Sequence, residues 1–557
     1  MNNTTGFGPV LGTDSLGRTL VTAEQAGPVK TDKKRQVGMF YFVWCGSGQH
    51  RHDPAIPEEI LKKHPEAAFD QNHPAWVNKP PAYYHWGEPF FGFYYSNDEW
   101  VIRKHMEMLT LAGIDFLFFD TTNASYYERT TRLIMKVLHD FNEQGWNAPK
   151  VMYYTNTKSG ETIQGIYENI YKKNVYPDTW YYIDGKPAII GKPEDCSEEA
   201  REFFSIQLSQ WPIEADKDGG WPWIDFRRPQ KMYTKADGSD SVVNVAVAQH
   251  PQIFMGDSLM YGEKGNWGRS YHHGVHEQEN DPNAYLYGYN IAEEWENARE
   301  LDPDYVLVTG WNEWIAGKWD HFPVRNGNRV VSFVDLSCCE FSRDIDLMRG
   351  GYFDNYYMQL ISDVRKYKGC EEIPAQKGKT IEINNNFHQW DDVEVSYKGF
   401  DGAINRCAEG YGSKIYKNDT MRNNIVESKV TFDAENVYFY VRTSRAITPE
   451  FSEGSWMNLF IKAGEESFIA NYKPVDRDTT TLARGEFEGE TVGEISYNYL
   501  HDEMHLAIPR KKLGLGEDVS FMFKWGDSTE KFTCVEDFYE NGNVAPLGRV
   551  YYPFKGE

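Results

Sequence analysis

From residue 37 to about residue 310, short apolar runs alternate with segments of helical periodicity. Six runs have the nearly continuous apolar character of strands that are buried on both faces. They cover residues 37–44, 114–120, 150–156, 187–191, 244–251 and 304–310. Helices are predicted between them, for instance over 96–113 and 290–301, with Ser96 and Asn290 as expected N-caps. This alternation indicates a parallel α/β sheet with helices on its faces.

The same region favours a closed barrel over an open sheet. No glycine-rich phosphate-binding motif follows any predicted strand, which disfavours a nucleotide-binding doubly wound fold. A span of about 330 residues with this rhythm predicts a (β/α)8 TIM barrel that carries long insertions. The stretch WPIEADKDGGWPWIDFRRPQ, residues 211–230, is predicted to be one of these insertions.

The pattern changes near residue 370. The segment GCEEIPAQKGKT, residues 369–380, reads as a linker, and short strand-like runs separated by turn signals follow it. Such runs predict an antiparallel β-sandwich. We therefore expect an N-terminal arm over 1–36, a catalytic barrel over 37–370 and a β-sandwich over 378–557.

Charge and composition restrict the partners. The net charge of -25 would repel nucleic acid and anionic membrane surfaces. No apolar run approaches the ~18 residues that a membrane-spanning helix needs. The seven cysteines are scattered without metal-ligand spacing, so we expect no disulfide framework, no metal and no cofactor. A neutral ligand fits this chain best, and the sequence leaves its oligomeric state open.

The first residues of the chain bear on its cellular location. The N-terminus MNNTTGFGPV has neither a basic n-region nor an apolar h-region. We expect an exported protein from which a signal has been removed, with a cytoplasmic location as the alternative.

Polar residues that follow the predicted strands are the candidates for chemistry, because reactive groups in a (β/α)8 barrel lie at the C-terminal strand ends. Aromatic residues, which have flat apolar faces and polar tips, suit sugar-binding sites, although the 15% share also fits a large aromatic core. The candidates are Trp44, Asp120, Asn123, Asn156, Gln249, His250, Asn312 and Glu313. The sequence has no Gly-x-Ser-x-Gly elbow and no histidine pair at ligand spacing beside a strand-end carboxylate. Carboxylates in an aromatic pocket are typical of glycoside cleavage.

The segment VLVTGWNEWIAG, residues 306–317, places a carboxylate between two indoles at a strand end. We expect Trp311 and Trp314 to shape and dry the site and Asn312 to orient hydroxyl groups. Glu313 is the expected reactive group. The alternative is that Glu313 is a structural ion-pair partner.

At this motif a family resemblance appears. GWNEW after the last predicted barrel strand resembles the W-N-E-W-x-E-G pattern of glycoside hydrolase family 99 and its family 71-like relatives, barrel enzymes that act on α-linked glycans. The resemblance implies that Glu313 is the glutamate that assists through the substrate 2-hydroxyl. The family's second glutamate, its general acid/base, falls on Ala316. The proton donor must then come from another loop, with Asp120 as first choice and Glu88, Glu277 or Asp320 as weaker candidates.

The C-terminal region resembles family 9-like carbohydrate-binding sandwiches and DOMON-type domains. The resemblance lies in FHQWDD (387–392), NVYFYVRT (436–443) and FKWGD (523–527). Trp390, Trp456 and Trp525 are either a sugar-binding platform or sandwich core, and core is the favoured interpretation because large aromatic residues dominate sandwich interiors.

Together these observations predict a glycoside hydrolase that cleaves a neutral, α-linked oligo- or polysaccharide by carboxylate acid/base chemistry. A non-catalytic glycan-binding protein on a barrel scaffold is the rival from another class. A transglycosylase or a lyase that uses the same cleft is the third interpretation.

Overall fold

The structure is a computed structural model that describes residues 8–46, 52–77, 82–251, 266–319, 331–334, 338–449 and 454–557. Asp320, one of the weaker candidates for the proton donor, lies outside the described residues.

Eight parallel strands form a nearly closed barrel, which confirms the predicted TIM-barrel class. They are β1 Gln36–Tyr41, β2 Phe116–Thr121, β3 Lys150–Thr155, β4 Lys186–Gly191, β5 Ser205–Gln210, β6 Gly220–Pro222, β7 Val242–Ala246 and β8 Tyr305–Thr309. Their order in space is β7-β8-β1-β2-β3-β4-β5-β6. The side chain of Asn244 links the two ends of this path, because it donates to the Trp223 carbonyl at 3.1 Å and accepts from the Asp225 N–H at 3.0 Å.

Two barrel strands, β5 and β6, lie outside the six runs that the sequence predicts. The prediction that residues 211–230 form an insertion is wrong, because this segment contains the barrel strand β6. The sequence does not predict β5, because the buried face of this strand is polar. For example, the Ser209 hydroxyl donates to the Tyr154 hydroxyl at 3.3 Å. Tyr154 in turn donates to the carbonyl of Gln210 at 3.2 Å. These hydrogen bonds satisfy the polar side chains, so burying the strand carries only a small free-energy cost.

Helices surround the barrel. They are α1 Glu99–Leu111, α2 Glu128–Glu143, α3 Ser159–Ile166, α4 Glu198–Phe203, α5 Tyr289–Leu301 and α6 Asn355–Lys368. The N-cap of α1 is Asp98, which accepts from two backbone N–H groups, so the predicted cap at Ser96 is wrong. Helix α5 begins one residue before Asn290, whose amide instead donates to the carbonyls of Ala246 and Val247. No helix of the described residues is long and apolar enough to cross a membrane.

The barrel interior is filled largely by aromatic side chains. Its inward residues include Phe40, Phe116, Phe118, Tyr154, Trp221 and Tyr305. Gly38 makes room for them, because a Cβ at this position would lie 2.3 Å from the Phe116 ring. The interior is therefore a packed core, and the space for chemistry lies above it at the C-terminal strand ends.

The C-terminal region is a curled twelve-stranded sheet, which confirms the predicted sandwich class. Its strands are Ala375–Gln376, Ser396–Lys398, Ile425–Phe432, Asn436–Thr443, Ser455–Ala463, Glu466–Pro474, Thr479–Arg484, Glu490–Leu500, Glu503–Pro509, Ser520–Ser528, Asn543–Ala545 and Tyr552–Gly556. The sheet folds over itself, since the Phe439 ring lies 5.5 Å from Phe521 and 5.8 Å from Phe523 on a strand that is not its neighbour.

All three tryptophans considered for a sugar-binding platform are buried. Trp390 is 2% exposed, Trp456 is 5% exposed and Trp525 is fully buried. They belong to the core of the C-terminal region, as the favoured interpretation expected.

Buried polar contacts join the barrel to the C-terminal region. Arg406 donates to Asp98 at 2.8 Å, and Arg549 donates to Asp354 at 2.7 Å. The N-terminal arm adds to this contact, because Leu11 forms an isolated antiparallel bridge with Tyr551, just before the last strand. The barrel and the C-terminal region thus share a common interface.

Several short strands build the walls above the barrel. They are Ala82–His85, Glu88–Pro89, Tyr271–His272, Val275–His276, Ile315–Trp319, Ser332–Val334 and Met348–Arg349. The hairpin of Arg406–Glu409 and Ile415–Asn418 comes from the C-terminal region and lies against the same end of the barrel. A further short strand, Tyr182–Ile183, lies at the opposite end of the barrel, because it pairs with Lys186 and Pro187 at the start of β4.

Candidate active site

The chain that follows β8 is fixed to β1 by the side chain of Asn312. Its Oδ1 accepts from the Phe42 N–H at 2.9 Å, and its Nδ2 donates to the Phe42 carbonyl at 3.1 Å. The amide thereby continues the backbone ladder between β8 and β1 beyond the ends of both strands. Asn312 holds Glu313 at the barrel mouth, and its amide is engaged by the main chain rather than directed at a substrate hydroxyl.

Glu313 is held through its main chain and its carboxylate. Its N–H donates to Oδ1 of Asp344 at 2.8 Å, and its carbonyl accepts from Nε1 of Trp86 at 2.7 Å. Oε2 of Glu313 lies 3.2 Å from Nη2 of Arg343, and the residue is 4% exposed. These contacts fix the position of the Glu313 carboxyl group.

Arg343 and Asp344 belong to the segment SRDIDLM, residues 342–348, for which the sequence predicts no role. The segment pairs with the chain after β8, because Gly310 donates to the Arg343 carbonyl at 2.7 Å and Asp346 donates to the Trp311 carbonyl at 2.8 Å. The available sequence signal is three charged residues in the four positions 343–346. That pattern carries no indication that the segment packs beside Glu313.

The two indoles that flank Glu313 in sequence have different surroundings. Trp314 stacks on Trp86 with ring centroids 4.2 Å apart, and its Nε1 donates to Asp346 at 2.9 Å. Trp311 is fully buried and meets His105 and Tyr357 edge-on, at 5.6 and 6.3 Å. Trp311 therefore faces the helical layer and not the cleft, whereas Trp314 supports the chain that carries Glu313.

Asp346 is the centre of a buried network below Trp314. Besides the indole N–H, it accepts from the Tyr94 hydroxyl at 2.8 Å, and it lies 3.2 Å from Nε2 of His105. His105 in turn meets the Tyr41 hydroxyl at 2.9 Å. This network ties α1, β1 and the segment after β8 together behind the candidate site.

Asp120 points into the barrel mouth. Successive side chains of a strand alternate between its faces, so Asp120 shares the inner face of β2 with Phe116 and Phe118. Its Oδ1 accepts from the N–H and the hydroxyl of Thr122, at 3.1 and 2.8 Å. These bonds hold the carboxylate near the top of the strand.

Continued past the strand ends, the same alternation places Trp44 and Asn156 on the inner face. Trp44 follows Phe40 and Phe42, and Asn156 follows Met152 and Tyr154. Oδ1 of Asn156 is buried and has no hydrogen-bond partner among the described residues. The mouth therefore presents an indole and an amide acceptor beside Asp120.

Strand β1 separates Glu313 from Asp120, because it lies between β8 and β2. Adjacent strands are about 4.8 Å apart, so the two backbones lie about 10 Å apart across the mouth. The charge of each carboxylate shifts the pKa of a different neighbouring group. Burial raises the pKa of the Cys45 thiol, as do the charges of Glu313 and Asp344. Burial and then the Asp120 charge raise the pKa of Tyr127.

Backbone strain is concentrated in the loops above β2 and β3. Ala124 and Tyr127 have φ values of 61° and 46°, and Lys158 has 48°. Non-glycine residues in this left-handed region cost roughly 1–3 kcal/mol each and cluster at functional sites. The strain therefore marks the same end of the barrel as Glu313 and Asp120.

Two predicted site residues are fully buried. Gln249 donates to the Asp225 carbonyl and to Glu294, at 3.0 and 3.1 Å, so it is part of a network outside the mouth. His250 lies near Arg343, and burial followed by that positive charge keeps its pKa well below the ordinary range. The His250 ring lies 6.2 Å from that of Phe341, one residue before the segment that holds Glu313. A third residue, Asn123, is exposed on the loop after β2.

Ala316, at the position of the missing glutamate, faces away from the mouth. It lies in a strand opposite Tyr84, and its methyl group packs in a cluster with Trp76, Tyr84 and Phe333. The preceding residue, Ile315, packs on the opposite side with Cys45. A side chain at position 316 is therefore directed into an apolar cluster, away from Cys45.

The other candidate donors form surface pairs. Glu88 lies 3.7 Å from Arg349, and Glu277 lies 3.7 Å from His272. Among the described residues, one group with metal-ligand spacing was found, His64 with Glu66 and His73, and it includes neither Glu313 nor Asp120.

No family model matches this chain, and no curated protein matches it. One solved structure that is similar is a GH99 endo-α-mannosidase from Bacteroides thetaiotaomicron, at 15% identity and a TM-score of 0.35, covering 60% of this chain and 97% of that one. A GH99 endo-α-mannosidase of the same source in complex with bis-Tris propane matches at 15% identity and a TM-score of 0.34, covering 60% of this chain and 98% of that one.

Proposed function

We propose that the protein is a glycoside hydrolase that cleaves a neutral, α-linked oligo- or polysaccharide at the barrel mouth. The observation that carries the proposal is the fixation of Glu313 there by three neighbours, with Asp344 and Trp86 on its main chain and Arg343 on its carboxylate. A preorganised carboxylate at this end of a barrel is suited to a developing positive charge at an anomeric carbon. The α-linkage comes from the resemblance of the GWNEW motif.

In this proposal Asp120 is the proton donor to the leaving oxygen. It lies on the inner face of β2, and backbones about 10 Å apart allow the carboxyl groups of Asp120 and Glu313 to flank one glycosidic bond. Trp44 and Asn156 supply an apolar face and a hydrogen-bond acceptor on the same side. No step of this reaction requires a metal or a cofactor.

The test is a screen of the full-length protein against α- and β-linked gluco- and manno-oligosaccharides, with products read by chromatography. Cleavage of an α-linked member is expected, and Glu313→Gln is expected to lower kcat by roughly a thousandfold or more. Glu88→Gln is the matched control, since Glu88 pairs with Arg349 at the surface. Unchanged kcat in Glu313→Gln would remove Glu313 from the mechanism.

A non-catalytic glycan-binding protein is the second candidate. It is favoured by the ion pair between Glu313 and Arg343, since a carboxylate used only for structure has the same surroundings. Tight binding of an oligosaccharide without any cleavage, unchanged in Glu313→Gln, is the result that this function predicts.

A further inference from the structure

A hairpin from the C-terminal region, residues 406–418, reaches the end of the barrel that carries the candidate active site. We call it the C-terminal hairpin. Tyr411 at its turn donates its N–H to the Phe93 carbonyl at 2.8 Å, and its ring lies 4.6 Å from His85 and 4.9 Å from Tyr95. Tyr411 is 1% exposed. The hairpin is therefore seated firmly on the barrel.

A cavity lies between the C-terminal hairpin and the barrel. Its volume is about 620 Å³, within the range of roughly 300–1,000 Å³ that is usual for ligand sites. Its lining includes His52, Asp53 and Tyr95 from the barrel region and Glu409, Ser413 and Ile415 from the hairpin. Aromatic faces combined with acidic and hydroxyl groups match the alternating apolar and polar surfaces of a sugar ring.

Partly buried aromatic residues connect this cavity to the barrel mouth. The Trp44 ring lies 6.3 Å from Tyr83, and Tyr83 stacks on His52 at 6.1 Å with an angle of 22° between the rings. Trp44 and Tyr83 pack against the apolar cluster that contains Cys45. Cys45 is close enough to Glu313 for the charge of that residue to raise the pKa of its thiol. A continuous aromatic strip thus leads from the candidate site to the cavity.

The turn of the C-terminal hairpin is strained beside the cavity. Ser413 lies in the left-handed region with a φ value of 55°, and it follows Gly412 at 69°, a value that glycine adopts without strain. A Cβ at Gly410 would lie 2.4 Å from the Phe93 carbonyl oxygen, so the close approach to the barrel needs glycine there. Strain of this kind persists where surrounding contacts enforce it, and it clusters at binding sites.

We propose that this cavity binds further sugar units of the glycan whose scissile bond lies at Glu313. The C-terminal region then supplies part of the substrate site, and the enzyme acts on chains of several units. This inference rests on the proposed function, and it assigns a role in chain-length recognition to Glu409 and Ile415.

The test is the dependence of kcat/KM on substrate length, using α-gluco- and α-manno-oligosaccharides of two and five units. The double variant Glu409→Ala/Ile415→Ala removes an acidic and an apolar group from the cavity wall. Both side chains are exposed, so folding is expected to be retained, which a thermal melt checks. We expect kcat/KM on the five-unit substrate to fall about tenfold, and the loss on the two-unit substrate to be at least fivefold smaller.

Lys417→Ala is the matched control, because Lys417 is exposed on the same strand of the hairpin but does not line the cavity. Equal losses on the two substrate lengths, or none, would overturn the inference while leaving the proposed function intact. If the wild type binds the five-unit substrate without cleaving it, the hydrolase proposal fails. The cavity inference then stands only if the double variant weakens that binding. Absence of both binding and cleavage overturns both.

Discussion

The backbone N–H of Glu313 donates to the carboxylate of Asp344 at 2.8 Å, so one acidic residue positions the main chain of another. The two residues are 31 positions apart in the sequence. The hydrogen bond from the Gly310 N–H to the carbonyl of Arg343 brings the adjacent Asp344 close to Glu313. Asp344 is fully buried, whereas Asp120 sits on the inner face of β2. The two aspartates therefore have different expected roles, positioning for Asp344 and proton donation for Asp120.

The first prediction separates these roles by leaving-group dependence. A general acid matters most when the leaving oxygen is basic, so Asp120→Asn should lower kcat by roughly a hundredfold or more on an oligosaccharide. On an aryl glycoside with an acidic phenol leaving group, the loss should be much smaller. Asp344→Asn should lower the rate on both substrates by similar factors, because it disturbs Glu313. Leaving-group dependence in Asp344→Asn and not in Asp120→Asn would exchange the two assignments.

The second prediction concerns the position of the missing family glutamate. Ala316→Glu would place a carboxylate in the apolar cluster of Trp76, Tyr84 and Phe333. Burying an unpaired charge is costly, so this variant should unfold at a lower urea concentration and gain no activity. Ala316→Ser, which adds a single small hydroxyl, should lose less stability. A rise in activity of Ala316→Glu would show that position 316 can reach the substrate.

The third prediction concerns stability against pH. Burial raises the pKa of Glu294 to about 8, and the charge of Arg228 opposes that shift. Between the ordinary carboxyl pKa and about 8, the folded state holds a proton that the unfolded state has released. The free energy of unfolding should therefore fall as the pH rises from about 5 to 8.5.

Glu294→Gln should flatten this dependence, and urea unfolding at pH 5, 7 and 8.5 measures it. The neighbouring Glu293 is the control, because its pKa is shifted in the opposite direction. Burial acts to raise its pKa, but hydrogen bonding and charge from Arg228 lower it overall. The stability that Glu293 contributes is present above the ordinary carboxyl pKa and is lost only at lower pH, so Glu293→Gln should leave the slope above pH 5 unchanged. If the free energy of unfolding of Glu294→Gln falls with pH as steeply as that of the wild type, Glu294 is not the group responsible for this dependence.

Much of the fold could be predicted from local patterns, whereas the support of the site depends on long-range contacts. The apolar run of β2 identifies a buried strand, and its alternation also gives the inward direction of Asp120 from Phe116 and Phe118. Strand β5 could not be found in this way, because its buried polar side chains are satisfied by partners such as Tyr154. The pairing of Arg343 with Glu313 has no local signal at all.

Asn312 and Trp311 illustrate the same limit. Their place after a strand was predicted, but the direction of each side chain depends on packing. The amide of Asn312 pairs with Phe42 on β1, and the Trp311 indole turns toward His105 on α1. A strand-end position in sequence therefore identifies the barrel mouth, but it does not separate residues that face a substrate from residues that hold the frame.

The fourth prediction concerns Asp98, which has two functions at the junction of the barrel and the C-terminal region. Its Oδ1 caps α1 by accepting from the Trp100 and Val101 N–H groups, and its Oδ2 accepts from Arg406 of the C-terminal hairpin at 2.8 Å. Both Asp98 and Arg406 are buried. Asp98→Asn keeps a good cap but leaves the guanidinium without its counter-charge, which should cost about 3–5 kcal/mol.

Asp98→Ala should cost about 1 kcal/mol more, because it also removes the cap. The free energy of unfolding in urea at neutral pH measures both losses. The double variant Asp98→Asn/Arg406→Met should recover part of the loss, since it replaces the unpaired charge by an apolar side chain of similar length. If Asp98→Asn proves as stable as the wild type, the pair with Arg406 does not contribute to holding the hairpin. The contacts of Tyr411 with its aromatic neighbours must then hold the C-terminal hairpin against the barrel.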